Sequence, residues 1–317
     1  MNLVSGVANT ALGGIALEFN TDGHYNTAVG FGALEFNATG SENTAIGYRA
    51  LPNNTTGQQN VAAGRSALYY NTTGSNNTAI AYSALEQNTI GRNNTGIGYS
   101  ALRGNISGDA NTAIGKGSLA HNNHGRNNVA LGFEAGFNIG GDNNIAVGNP
   151  GVRDEGDTIR IGATQANTYI AGISGVTVPT GVAVIVDTDG HLGTTTSSAR
   201  FKEKIQPMNN ASEAVLDLKP VMFRYKKELD PKGTQQFGLV AEEVAKVNRD
   251  LVVADKQGKP YTVHYDAVNA MLLNEFLKAR RQIDTQQKQI DALTAGLQKV
   301  SAQLEASKPA QQVVSNP

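Results

Sequence analysis

The sequence predicts a mainly β protein. An N-terminal parallel β-roll or β-helix solenoid leads into a β connector, then a small α+β domain whose long C-terminal helix forms a trimeric coiled coil. Three observations predict it: a seventeen-residue repeat in the first half of the 317-residue chain, a sharp change of composition near residue 197, and a heptad of Ile and Leu near the C-terminus. These shifts place a repeat head or shaft at 1–150, a strand connector at 151–196, an α+β domain at 197–265, a long helix at 266–308 and a disordered tail at 309–317.

The pattern "NTAxGxxAL" begins at Asn9, Asn26, Asn43, Asn60, Asn77, Asn94, Asn111 and Asn128, each step being seventeen residues, with a last copy one residue early at Asn144. A row of glycines from Gly23 to Gly125 keeps the same step. Within the unit the fourth position holds Leu12, Val29, Ile46 and Ile80, and the ninth holds Leu17, Leu34, Leu51 and Leu68. Two or three apolar side chains per unit cannot bury a core alone, but stacked units build a continuous thin one. Asn, Thr and Gly disfavour helices, and no 3.6-residue stripe runs through the unit. Gly permits the positive φ of tight corners, and an Asn amide can pair with the coil above. Eight coils at a strand spacing of ~4.8 Å give about 40 Å of shaft. So thin a core gains from sharing with neighbours, which predicts a homotrimer.

Aromatic residues recur at the sixth position (Phe31, Tyr48, Tyr82, Tyr99 and Phe133), where they would face a sugar or pack between chains. Asn-x-Ser/Thr triplets such as those at Asn37 and Asn71 follow from the repeat and need no glycan. His121 and His124 have a metal-like spacing, but they occupy a corner of the repeat and are read as solvated. No metal and no cofactor is expected.

In the connector, "TIRIG", "NTYIAGI" and "GVAVIVDTDGHLGTT" alternate apolar and polar residues as short strands do. "DTDG" lacks the remainder of a calcium loop, so a hairpin with Asp189-Gly190 at its turn is expected. Beyond it, "NASEAVLDLKP" reads as a short helix stopped by Pro220, "VMFRYKK" as a strand, and "QFGLVAEEVAKV" as strand then helix. "LVVADKQGKPYTVHY" reads as a hairpin turning near Gln257-Gly258, and Asp266 as the cap of a long helix. Along that helix Ile283, Ile290, Leu297 and Leu304 recur every seven residues, with Leu293 and Val300 between them.

The formal net charge of −1 gives no electrostatic case for nucleic acid. The absence of Cys removes disulfides and thiol chemistry. No apolar run is long enough for membrane insertion. No signal peptide is visible at the start, which falls straight into the repeat, so a preceding segment is expected. An extracellular, cell-surface or virion-like location suits this composition.

Residues 5–150 resemble the head repeats of trimeric autotransporter adhesins, and similar arrays in phage and bacterial fibres. That resemblance implies a β-roll trimer and, by family habit, a cell-surface glycan or receptor as partner; a rigid spacer explains the repeats equally well. A second resemblance rests on "SSARFKEKI", "LKPVMFRY", "FGLVAEEV" and "YTVHYDAVNAMLLNEFLK", colinear from 197 to about 280. Together these are similar to the intramolecular chaperone domain of endosialidase-type phage tail spikes. The resemblance implies a domain that drives trimerisation of the fibre before it and then cuts itself off at its own N-terminus with a Ser–Lys dyad. The family's junction pattern, Ser-Asp-x-Arg-x-Lys, places the nucleophile on Ser197, the Arg on Arg200 and the base on Lys202, with Ser198 where the Asp usually stands.

The implied chemistry is coherent. A Ser hydroxyl needs a neighbouring base, and a Lys serves when desolvation or nearby cations favour its neutral amine. The scissile bond is then Thr196–Ser197, with Ser198 as the alternative nucleophile if the register shifts by one. Ser-Ser followed by Lys is common in linkers, so the four motifs carry the assignment rather than the dyad. The alternative is an uncleaved fibre in which the C-terminal domain is a permanent trimerisation clamp. A glycan-cleaving spike has little support, because no pair of carboxylates stands out from the repeat.

Overall fold

A computed structural model of the chain describes residues 6–175 and 177–307. The protein is mainly β, and it divides into two compact units, Met1–Ser174 and Gly175–Pro317. The tail at 309–317 lies outside the described residues.

The first unit is a parallel β-solenoid. Its ten strands, each three residues long, are β1 (Thr10–Leu12), β2 (Thr27–Val29), β3 (Thr44–Ile46), β4 (Val61–Ala63), β5 (Thr78–Ile80), β6 (Thr95–Ile97), β7 (Thr112–Ile114), β8 (Val129–Leu131), β9 (Ile145–Val147) and β10 (Ile159–Ile161). They form one sheet in chain order, so each coil pairs only with the coils before and after it. Equivalent residues pair directly, Ala28 with Ala45 and Ala45 with Ala62. The sheet runs on past the last recognisable repeat, because Ile159 pairs with Ile145 after a coil of only fourteen residues.

The core differs from the sequence expectation in one respect. The ninth-position leucines Leu34, Leu51, Leu68, Leu85, Leu102 and Leu119 are fully buried, as expected. The fourth position is not: Leu12, Ile46, Ile80, Ile114 and Leu131 are 40–67% exposed. Side chains alternate across a strand. In "TAI" the alanine therefore points inward and the flanking Thr and Ile point out, as at Ala45 between Thr44 and Ile46. The interior is made of those alanines, a second alanine before each leucine (Ala33, Ala50, Ala67), and the leucines themselves.

Two columns of buried asparagine complete it. Asn37 Nδ2 donates to Asn20 Oδ1 at 2.7 Å, Asn54 repeats the bond to Asn37 at 2.7 Å, and Asn71 repeats it to Asn54 at 2.9 Å. In the other column Asn26 Oδ1 accepts from the Asn43 backbone N–H at 2.9 Å, while Asn43 Nδ2 donates to the Gly57 carbonyl at 2.9 Å. These amides satisfy corner groups that would otherwise be buried without partners, at a cost of about 1–3 kcal/mol each. Asn37 and Asn71, in glycosylation-like triplets, are fully buried.

Glycine supplies positive φ at the fifth position of the unit, with Gly30 at φ 132° and Gly47 at φ 130°, and the ninth-position leucine adopts it too, with Leu34 at φ 49° and Leu51 at φ 54°. That conformation costs roughly 1–2 kcal/mol, which burial of a Leu side chain, worth about 1.5–3 kcal/mol, offsets. The separate row of glycines from Gly23 to Gly125 serves close approach. A side-chain carbon at Gly57 would overlap the Asn54 side-chain oxygen and the Gly74 carbonyl oxygen of the next coil.

The second unit is smaller and looser. After a two-stranded hairpin, β11 (Val184–Val186) with β12 (Leu192–Thr194), come a 3-10 segment at Asn209–Asp217 and the antiparallel pair β13 (Val221–Phe223) and β14 (Gln236–Gly238). Helix α1 (Ala241–Val247), the hairpin β15 (Val252–Ala254) and β16 (Pro260–Val263), and helix α2 (Tyr265–Ala306) follow. Its core is Val215, Val244, Leu251, Val263, Val268 and Met271. Asp266 lies inside the first turn of α2 rather than capping it. His264 is the cap residue, without a side-chain bond, and Asp266 acts as an acid near the positive end of the helix dipole.

Candidate functional site

The junction is built from the hairpin and the turn that follows it. Val184 pairs with Thr194 and Val186 with Leu192, and the connecting turn is closed by Asp187. The Asp187 carboxylate accepts the backbone N–H groups of Asp189 and His191, each at 2.9 Å. Those bonds, the His191 N–H foremost, hold its carboxyl below the ordinary aspartate range. Gly190 supplies φ 84° for the turn. The expected hairpin is therefore present, and the Asp187 carboxylate is engaged by the turn's own backbone while Asp189 pairs with Lys256.

Beyond Thr194 the chain leaves the sheet, and Thr196 and Ser197 are exposed with no regular structure. Ser198 is extended, at φ −66° and ψ 139°, and its side chain caps nothing. A single 3-10 turn then runs over Ala199–Phe201, closed by Phe201 N–H to the Ser198 carbonyl at 3.1 Å and Lys202 N–H to the Ala199 carbonyl at 3.0 Å. That reversal brings the Lys202 ammonium back to the Ser197 hydroxyl, with Nζ 3.4 Å from Oγ. The contact is at the long end of a hydrogen bond and lies on the surface. Arg200 is held over the Phe201 ring, with its guanidinium carbon 4.6 Å from the centroid. Ser197 and Lys202 thus meet, while Arg200 turns to Phe201 and Ser198 makes no side-chain bond to the turn.

A polar clamp that no sequence motif marks lies deeper in the unit. Ser212, fully buried, donates to Glu275 Oε1 at 2.5 Å and accepts from Asn274 Nδ2 at 2.7 Å. Lys278 bonds Glu275 at 2.7 Å and Glu213 at 3.4 Å. The Lys278 ammonium, with the Ser212 hydroxyl, holds the Glu275 carboxyl below its ordinary value. These partners lie 62–65 residues apart in sequence, so no local motif marks them. The clamp fastens the 3-10 segment after the junction to α2.

Among the described residues no three His, Cys, Asp or Glu side chains group as a metal site, and no helix is long and apolar enough to cross a membrane.

Residues 197–253 match the family model described as chaperone of endosialidase. No curated protein and no solved structure matches the chain. The family match begins at Ser197, the residue that faces Lys202, and a parallel solenoid of seventeen-residue coils precedes it.

Proposed function

We propose that this chain is a fibre protein whose C-terminal unit templates a homotrimer of the preceding solenoid and then releases itself by cutting Thr196–Ser197. The family matched at 197–253 supports a trimerisation-chaperone role in fibre proteins. The finer reading is carried by one observation, the 3.4 Å approach of Lys202 Nζ to Ser197 Oγ at the first residue of the match.

The proposed chemistry has two steps. Lys202, as the neutral amine, takes the Ser197 hydroxyl proton while Oγ attacks the Thr196 carbonyl carbon. The Thr196–Ser197 C–N bond breaks, its nitrogen leaves protonated as the amine of Ser197, and an ester joins Thr196 to Ser197 Oγ. Water then adds to that ester, giving a Thr196 carboxylate and restoring the hydroxyl. An exposed ammonium is a poor base, and burying it favours the neutral amine. Cleavage therefore waits until neighbouring chains cover Lys202. This couples cutting to correct assembly.

Trimerisation draws on apolar surface that one chain leaves open. The fourth-position stripe of the solenoid is exposed, and so are Ile283, Ile290, Leu297 and Leu304 along α2. Three chains would cover both as a β-roll trimer and a coiled coil. Such a fibre belongs outside the cell or on a virion-like particle. A permanent, uncleaved clamp is the second reading, favoured by Ser198 standing where the family's pattern has Asp.

Intact masses under denaturing conditions test the proposal. Wild type should give Met1–Thr196 and Ser197–Pro317, and Ser197→Ala and Lys202→Ala should stay whole. Loss of cutting only in Ser198→Ala moves the nucleophile by one residue. A single uncut but trimeric chain establishes the clamp.

A further inference from the structure

The coils keep a seventeen-residue step from Asn9 to Asn128 and then shorten twice. Asn144 follows after sixteen residues, and Thr158 takes the first position of the next coil after fourteen, donating its N–H to Asn144 Oδ1 at 3.1 Å. The interior adjusts by an exchange: Gly136 stands where earlier coils have the core leucine, and Ile139, 1% exposed, stands where they have the buried asparagine. A side-chain carbon at Gly136 would lie 2.9 Å from Leu119 Cδ2 and 3.4 Å from Ile139 Cδ1, so Ile139 fills the space the leucine gave up. The core continues, but the corner above it is no longer covered by a full-length neighbour.

A cleft of about 450 Å³ opens there, lined by His121, Asn123, His124, Asn138, Arg153 and Asp154. That volume falls within the range of small-molecule sites, and the cleft is open, with its six named side chains exposed. No other coil has histidine at these two positions: the first varies, with Asn at Asn53 and Asn138, and the second is most often Thr, at Thr39, Thr56 and Thr73. Arg153 and Asp154 form no side-chain ion pair or hydrogen bond among the described residues, with each other or with anything else. His121 has a ring contact with Phe137, centroids 4.2 Å apart, and His124 Nδ1 meets Ser107 Oγ at 2.8 Å.

These walls select a ligand chemistry. An apolar molecule would strip water from a guanidinium, a carboxylate, imidazoles and amides and return no hydrogen bonds. A guanidinium is a planar fork suited to a carboxylate, whereas Asp154 and the Asn amides match hydroxyl groups. Asp154 also repels a small, highly charged anion. The aromatic row at the sixth position is a poorer alternative for sugar, because its rings stack on one another or carry a cation over a face. Phe31 stacks on Tyr48 at 5.7 Å, Tyr82 stacks on Tyr99 at 5.3 Å, Arg65 sits between Tyr48 and Tyr82, and Lys116 between Tyr99 and Phe133.

We propose that the cleft at the shortened coils binds a carboxylated sugar, with Arg153 taking the carboxylate and Asp154, Asn138 and the two histidines taking ring hydroxyls. The proposal is independent of whether the chain cuts itself. Titration calorimetry of the assembled full chain with sodium glucuronate, glucose and inorganic phosphate tests it. Glucuronate should bind at least about tenfold more tightly than glucose or phosphate, a factor worth about 1.4 kcal/mol. Arg153→Gln should lose about tenfold, and the pair His121→Asn with His124→Thr several-fold. The pair installs residues that other coils already carry at those corners, so an unchanged melting temperature separates loss of binding from loss of fold. Equal binding of glucuronate and glucose, phosphate binding as tightly as glucuronate, no glucuronate binding, or full affinity in Arg153→Gln would each overturn it.

Discussion

The solenoid and the C-terminal unit solve the same problem in opposite ways. Each coil closes its hydrogen bonds on the next coil, with buried Asn columns, buried Ala and Leu, and identical register repeated through the sheet. The C-terminal unit buries six apolar side chains, while Met222, Phe237, Phe276 and the α2 heptad residues remain more than half exposed. The solenoid holds itself together from coil to coil and leaves an apolar stripe exposed at its fourth position; the second unit has a small core and many exposed apolar side chains. A unit with so small a core fits the proposed role of a temporary template, and a shaft bonded coil to coil fits persistence after the proposed cut.

The strongest way to break this contrast is to interrupt one coil contact. Gly57→Val forces a side chain against Asn54 and Gly74 and should cost at least about 3 kcal/mol, read as a lower melting transition of the shaft with the C-terminal transition unmoved. Asn60→Ala should cost about 2–3 kcal/mol. It removes bonds to the Gly74 carbonyl at 2.9 Å and from the Asn77 N–H at 3.0 Å, leaving both buried. If Asn60→Ala melts like a surface substitution, the column is decorative.

The C-terminal side is sharpened by Ile290→Ala. In one chain Ile290 is 54% exposed, so a solitary helix should lose no more than about 0.5 kcal/mol. A seam shared by three chains should lose about 2 kcal/mol, with a melting temperature that depends on protein concentration. Smaller again is the acid response of the Ser212–Glu275 clamp. Glu275 has a folded-state value below its ordinary one, so its contribution is complete above about pH 4.5 and fades as pH falls through the folded value. Acid unfolding of the C-terminal unit should thus be shallower in Glu275→Gln, and identical acid curves would exclude the clamp. Least of all, Lys256→Ala breaks an exposed pair with Asp189 at 3.1 Å and should shift stability by less than about 0.5 kcal/mol.

The phase of the repeat, the solenoid and the hairpin ahead of the junction were legible because identical residues recur at fixed steps and Asp-Gly marks its turn. Which face was buried was less legible. Isoleucine outranks alanine in apolar character, and only the burial of the folded strand shows that Ala45 points in while Ile46 points out. The tenth coil escaped notice because its fourteen residues break the step that defined the others. At the junction, Ser197 and Lys202 were singled out by the colinear resemblance rather than by the dyad itself, and five residues with one 3-10 turn bring the two side chains to 3.4 Å. Ser212 and Glu275 carry no such signal, because a contact spanning 63 residues is made by the fold and not by spacing.

The most direct test of the templating claim is refolding. Chains of Ser197→Ala, which keep the C-terminal unit, and isolated Met1–Thr196 are unfolded in denaturant, returned to buffer, and weighed by light scattering. The uncleavable full chain should regain the trimer, and the isolated shaft should not. Equal recovery of trimer by both would contradict the account, because the shaft would then need no template.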